Sequence, residues 1–199
     1  MGLYSLKGKK DHSLSCVVVV AHKLGFTPNI VTAIGLCFGV TGGALIAVHE
    51  IPLALSCVII SVFCDALDGA IARRFDEVTT FGLFFDSISD RISEIALVLG
   101  AFFCGLINIV GLIAIVGSLA LLLFRTLSYW KNLSTDFAFF GRFERLFFIL
   151  IGIISPYATF STFCFVIAGG FGLVSSIQIL ITMSRQNVSL EKSSPYLNA

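Results

Sequence analysis

Residues 51–106 read IPLALSCVIISVFCDALDGAIARRFDEVTTFGLFFDSISDRISEIALVLGAFFCGL, two apolar runs on either side of a short polar segment. Each run reaches the roughly 20 residues that an α-helix needs to cross the hydrocarbon core of a bilayer. Seven of the twelve acidic residues of the chain nevertheless fall between Asp65 and Glu94. The stretch therefore predicts two membrane helices that carry carboxylates within their ends.

The composition of the whole chain agrees with a membrane location. Of the 199 residues, 57% are hydrophobic and 13% are charged, and the mean hydropathy is +0.98, whereas soluble domains carry about 25% charged residues. These values exclude a water-soluble fold, and a net charge of +1 is too balanced for a nucleic-acid-binding protein. We predict an all-α integral membrane protein with a single domain over residues 1–199.

The apolar runs and the basic residues together predict a topology. Eleven of the thirteen Lys and Arg residues lie before the first run, after the last, or in alternate loops, and the opposite loops contain none. The positive-inside rule then places both termini in the cytoplasm. The apolar stretch 14–21 is too short to span and predicts an N-terminal interfacial helix. The six predicted transmembrane helices are 28–49, 51–73, 81–106, 108–129, 145–160 and 162–184.

The spacing of four aspartates predicts a metal site. Asp65 and Asp68 are three residues apart and Asp86 and Asp90 are four apart, so each pair projects from one face of its helix. The short loop between the helices makes them antiparallel neighbours, and the four carboxylates can converge. Carboxylate oxygens are the ligands of hard cations such as Mg²⁺ or Mn²⁺, and two such ions would balance four carboxylates in charge.

A structural ion network is the alternative interpretation of these acids, with neighbouring arginines as their partners. It leaves the regular spacing unexplained. The arginines available to it are Arg73, Arg74, Arg91 and Arg125.

Residues 65–90 also carry a recognisable motif. They fit D-x2-D-G-x2-A-R-x8-G-x3-D-x3-D at every fixed position, and this resembles the signature of the CDP-alcohol phosphatidyltransferases. The resemblance implies six transmembrane helices with cytoplasmic termini, usually in a homodimer. It also implies a reaction in which the hydroxyl of a small alcohol attacks the lipid-side phosphate of CDP-diacylglycerol or CDP-archaeol and CMP leaves. Asp65, Asp68 and Asp86 would then hold two metal ions and Asp90 would act as the base.

The resemblance extends to the residues that would contact the CDP-lipid. Gly69, Ala72 and Gly82 would leave room for the nucleotide, and Arg73 can contact phosphate. Asn29, in a T-P-N helix opening like that of the family, would reach the nucleotide. The alternatives are plain helix packing for the small residues and simple capping for Asn29.

The acceptor alcohol is left open among serine, inositol, glycerol 3-phosphate and inositol 1-phosphate. A basic cluster favours an anionic acceptor, because arginines suit phosphate recognition, whereas interfacial snorkelling is the alternative. The string G-R-x-E-R at 141–145 is similar to the inositol-phosphate branch of the family, which favours inositol 1-phosphate. The predicted acceptor-binding residues are Lys131, Arg142, Arg145 and Arg125.

Two further classes of function compete with a transferase. A divalent-cation transporter would spread acids through the depth of the membrane, whereas here they cluster near one end of the helices. A CDP-lipid-binding protein without catalytic activity would lack the fourth aspartate, which is present as Asp90.

Overall fold

The computed structural model describes residues 17–130 and 142–193, and every regular element in these ranges is helical. The predicted all-α class is confirmed for this part of the chain. In chain order the helices are α1 (17–23), α2 (Pro28–Ala47), α3 (Ile51–Arg74), α4 (Thr80–Phe103), α5 (Ile113–Trp130), α6 (Arg142–Ile154) and α7 (Ala158–Ser193), with a 3₁₀ turn at Ile109–Leu112 before α5.

Four segments are long and apolar enough to cross a bilayer: Pro28–Ala47, Ile51–Arg74, Ile109–Ser128 and Ala158–Ser184. The other two predicted spans are helical but differ from these. The 24 residues of α4 include several charged side chains, and α6 has 13 residues, about 20 Å of helix against a core of about 30 Å.

The predicted fifth span, 145–160, does not end where the apolar run ends. Helix α6 stops at Ile154 and α7 begins at Ala158. Pro156 explains the break, because proline disfavours a helical conformation at the residue before it. At the N-terminus, 17–23 are helical, whereas 14–16 of the predicted interfacial helix lie outside the described residues.

Glycines allow α2 to lie against both α3 and α4. A Cβ at Gly39 would collide with the side chain of Ser93, and a Cβ at Gly43 would collide with the backbone of Ala96. On the side of α3, a Cβ at Gly35 would come within 3.0 Å of the Cβ of Cys64. Small residues permit this close approach of helix backbones in membranes, so α2 connects α3 to α4.

A buried ion cluster joins α4, α5 and α6. Glu94 of α4 accepts hydrogen bonds from Arg91 (2.9 Å), from Ser118 of α5 (2.7 Å) and from Arg145 of α6 (3.0 Å). The side chains of Glu94, Arg91 and Arg145 are each only 2% exposed. Removing one of these charged side chains would leave its partners buried without an opposite charge, which strongly destabilises a folded protein.

We expect Glu94→Gln to lower the free energy of unfolding by about 3–5 kcal/mol, because two buried guanidinium groups would lose their anionic partner. Unfolding of the detergent-solubilised protein by denaturant measures the change. Glu50→Gln is the matched control, since Glu50 is exposed in the turn before α3 and exposed changes usually stay within about 0.5 kcal/mol. Equal effects of the two substitutions would contradict a stabilising role for the cluster.

Candidate active site

The four aspartates lie on α3 and α4 near the loop that joins these helices. One carboxylate oxygen from each of Asp65, Asp68 and Asp86 lies within 4.8 Å of the other two. Asp68 and Asp90 are buried, and Asp65 and Asp86 are half-buried. The structure thus brings together three of the residues predicted as metal ligands.

Helix α2 packs against both helices that carry the aspartates. Helices α3 and α4 make their main contacts with α2 rather than with each other. The predicted convergence of the carboxylates across the short loop is nevertheless confirmed for Asp65, Asp68 and Asp86. The glycine-lined surface of α2 lets that helix pack against both α3 and α4. Thr32 of α2 donates a hydrogen bond of 2.5 Å to Oδ2 of Asp68. No motif in the sequence marks Thr32 as part of the site.

A small polar cavity lies beneath the aspartates. All four line it, together with hydroxyl groups that include Ser61, Ser89 and Ser93. Its volume of about 10 Å³ is close to the space required for one water molecule.

A larger cavity of about 260 Å³ lies beside the cluster and is bounded by α2, α3, α4 and the loop at 75–79. Asp68 and Asp86 line both cavities. The five residues that were predicted to contact the CDP-lipid all line the larger one: Asn29, Gly69, Ala72, Arg73 and Gly82.

Two of the small residues are surrounded by polar atoms of the cavity wall. A Cβ at Gly82 would lie 3.2 Å from Oδ1 of Asn29, and a Cβ at Gly69 would lie 3.1 Å from a terminal nitrogen of Arg73. Thr79 caps α4 by accepting a hydrogen bond of 3.0 Å from the N–H of Gly82. A larger residue at position 69 or 82 would therefore displace a polar group that faces the cavity.

The predicted acceptor-binding residues do not line either cavity within the described part of the chain. Arg145 donates to Glu94 through one terminal nitrogen, and its Nε and other terminal nitrogen have no hydrogen-bond partner among the described residues. Arg125 is half-buried on α5. Lys131 lies outside the described residues, and only the backbone of Arg142 is described.

Arg91, one of the arginines available to a structural ion network, has two carboxylates nearby. Its nearest carboxylate is Glu94 at 2.9 Å, and it lies 3.6 Å from Oδ2 of Asp90. Glu94 was counted among the acids but was not assigned a partner. Its position three residues after Arg91 on the same helix was the signal that could have identified this pair.

The carboxylates fit a hard divalent cation. Ligand oxygens held about 2.1 Å from Mg²⁺ in an octahedron lie up to ~4.2 Å apart, and the 4.8 Å limit for Asp65, Asp68 and Asp86 is close to this value. Three converging carboxylates repel one another, and a cation between them relieves that repulsion. The chemistry of the donor set therefore suits Mg²⁺ or Mn²⁺.

Comparison with known proteins agrees with the geometry. Residues 26–185 match the family model of the CDP-alcohol phosphatidyltransferases. The archaetidylinositol phosphate synthase of Pyrococcus horikoshii is 32% identical over 106 residues, which are 53% of this chain and 56% of that protein. The chain thus spans little more than half the length of that curated relative.

Solved structures of a second relative cover more of the chain. A crystal structure of Mycobacterium tuberculosis phosphatidylinositol phosphate synthase with manganese and citrate has a TM-score of 0.71 and 26% identity, covering 85% of this chain and 88% of that one. The same enzyme with CDP-DAG bound has a TM-score of 0.71 and 27% identity, covering 85% and 92% of the two chains.

The family model covers most of the chain and includes both helices that carry the aspartates and α2, which packs against them. The motif spacing, the convergent carboxylates and the adjoining cavity all agree with that match. The chain belongs to the CDP-alcohol phosphatidyltransferase family.

Proposed function

We propose that this protein is a phospholipid-synthesis enzyme that transfers a phosphatidyl or archaetidyl group from a CDP-linked lipid to a small alcohol and releases CMP. One observation carries the proposal: the convergent carboxylates adjoin a cavity that is lined by all five residues predicted to contact the CDP-lipid. The CDP-DAG-bound structure of the mycobacterial relative supports the choice of donor.

The residues around the cavity divide the task of binding the donor. Asp65, Asp68 and Asp86 would hold two divalent cations, Mg²⁺ or Mn²⁺, which when bound neutralise the diphosphate oxygens and the charge that develops on CMP. Arg73 supplies a further positive charge at the cavity wall. The missing side chains at Gly69 and Gly82 leave space for the nucleotide.

Asp90 is the proposed general base. It takes the proton from the acceptor hydroxyl as the hydroxyl oxygen bonds to the lipid-side phosphorus. The bond between that phosphorus and the CMP oxygen breaks, and CMP leaves with the electron pair. Arg91, 3.6 Å from Oδ2 of Asp90, offsets part of the negative charge beside the site.

The proposed acceptor is inositol 1-phosphate, with glycerol 3-phosphate and serine as alternatives. Both the archaeal and the mycobacterial relatives are inositol phosphate lipid synthases. Two donor nitrogens of Arg145 have no hydrogen-bond partner among the described residues, which supports an anionic acceptor. The other residues proposed to contact its phosphate are Lys131, Arg142 and Arg125.

The proposed architecture is one membrane domain over residues 1–199 with six transmembrane helices and an N-terminal interfacial helix. Both termini and the carboxylates would face the cytoplasm in the cell membrane. The family resemblance supports a homodimer, which a mass measurement of the detergent-solubilised protein tests.

Substitutions of Asp86 and Asp90 should have different effects. Asp86→Asn should abolish Mn²⁺ binding and activity. Asp90→Asn should lower kcat by about 10² to 10⁴ while the KM for CDP-lipid changes little, because a base acts mainly in the transition state. CMP release and Mn²⁺ titration measure these effects.

Asp76→Asn is the control for both substitutions, since Asp76 is exposed in the loop and asparagine tolerates its φ of 56°. An Asp90→Asn protein that turns over within about threefold of the parent would reject the assignment of the base. Full activity in excess chelator would reject the metal site.

A panel of acceptors tests the proposed substrate. With radiolabelled CDP-diacylglycerol or CDP-archaeol, we expect CMP release and lipid product with inositol 1-phosphate. Arg142→Ala should raise the KM for that acceptor about tenfold and spare the KM for CDP-lipid, because a lost ground-state contact weakens binding of its own substrate. Arg74→Ala, an exposed arginine at the end of α3, is the control. Product with serine or free inositol alone would contradict the proposed acceptor.

Labelling of single cysteines tests the orientation. In a background without the six native cysteines, Glu50→Cys should react with an impermeant reagent added outside intact cells. Asp76→Cys should react only after the cells are opened, because the positive-inside rule places the loop at 75–79 in the cytoplasm. The reverse pattern would overturn the topology.

A further inference from the structure

His22 of helix α1 contacts the loop between α3 and α4 at two residues. The imidazole ring of His22 stacks on Phe75, with ring centroids 3.7 Å apart and an interplanar angle of 13°. Its Nε2 lies 3.0 Å from Oε1 of Glu77. Both contacts join α1 to residues more than 50 positions later in the chain.

The helix itself is anchored to the body of the protein. Val18 is 2% exposed and packs in a cluster with Val31, Leu67 and Ile71, which belong to α2 and α3. His22 lies one turn further along α1. The contacts of His22 thus reach the loop from a helix that is already held by α2 and α3.

The loop forms part of the wall of the 260 Å³ cavity through Glu77, Val78 and Thr79. Its own backbone is held mainly at its two ends: the N–H groups of Phe75 and Glu77 bond to carbonyls of α3, and Thr79 caps α4. Asp76 has a φ of 56°, a conformation that is uncommon for residues other than glycine. Contacts from outside the loop therefore help to determine its shape.

We infer that His22 is a positioning residue for CDP-lipid binding, which acts through Phe75 and Glu77 to hold the loop in the conformation that shapes the cavity. The inference rests on the proposed function, because it takes the cavity to be the donor site. His22 itself does not line the cavity, so its effect on the donor passes through the loop.

The expected effect of losing the His22 contacts on donor affinity depends on the fraction of molecules whose loop at 75–79 has the conformation that binds CDP-lipid. If loss of the His22 contacts reduces that fraction, the apparent affinity for the donor falls in proportion, while bound complexes still react at the parent rate. His22→Ala should therefore raise the KM for CDP-lipid about threefold to tenfold and leave kcat within about twofold.

Two conservative variants separate the contacts. His22→Phe retains the ring that stacks on Phe75, and His22→Gln retains a side-chain N–H donor for Glu77. Each should recover part of the donor KM, which general destabilisation of the fold would not produce. Lys23→Ala is the matched control, because Lys23 is the exposed neighbour of His22 on α1.

Hydrogen exchange tests the inference without relying on turnover. Amides of residues 75–79 should exchange about threefold faster in His22→Ala than in the parent or in Lys23→Ala. Unchanged exchange would overturn the inference whatever the enzyme does. Faster exchange with an unchanged donor KM would overturn the role in donor binding, whereas failure of the parent itself to release CMP would reject the proposed function.

Discussion

The close approach of α2 to both α3 and α4 is the constraint on which the candidate site depends. The two helices that carry the aspartates make their main contacts with α2, so the packing of α2 helps to position the carboxylates relative to one another. Gly39 and Gly43 make this approach possible, since a Cβ at either position would collide with α4. The same helix contributes Thr32 to Asp68 and Asn29 to the cavity wall. Helix α2 therefore both packs the two aspartate-bearing helices together and contributes side chains to the candidate site.

The structure contains two groups of carboxylates whose negative charges are compensated in different ways. Glu94 has two guanidinium partners and a hydroxyl donor, so its charge is compensated by the fold itself. Asp65, Asp68 and Asp86 instead approach one another within 4.8 Å, which raises the free energy of the protein unless a cation joins them. The first group joins helices, and the second is suited to bind a ligand.

The spacing of residues along the sequence predicted most of the candidate site, but it predicted little of how the helices pack. The i, i+3 and i, i+4 positions of the aspartates placed them on helix faces. The motif and the T-P-N helix opening together identified five residues that line one cavity. The contact between Arg145 and Glu94, 51 residues apart, depends on how α6 packs and has no local signal. The end of α6 at Ile154 does have a local signal, Pro156, but the predicted span followed the length of the apolar run and passed over this proline. Sequence periodicity describes each helix, whereas long-range pairing depends on all of them.

Asp86 and Asp90 lie on one helix, and the roles proposed for them differ. They are four residues apart, about 6 Å along the axis. Asp86 lines the large cavity as well as the small one, whereas Asp90 lines only the small one of the two. The carboxylates of Asp68 and Asp86 therefore stand between the proposed donor cavity and the proposed base. An in-line displacement needs the attacking and leaving oxygens on opposite sides of the phosphorus, so under the proposed mechanism the acceptor hydroxyl would approach from the side of Asp90 and CMP would leave toward the larger cavity.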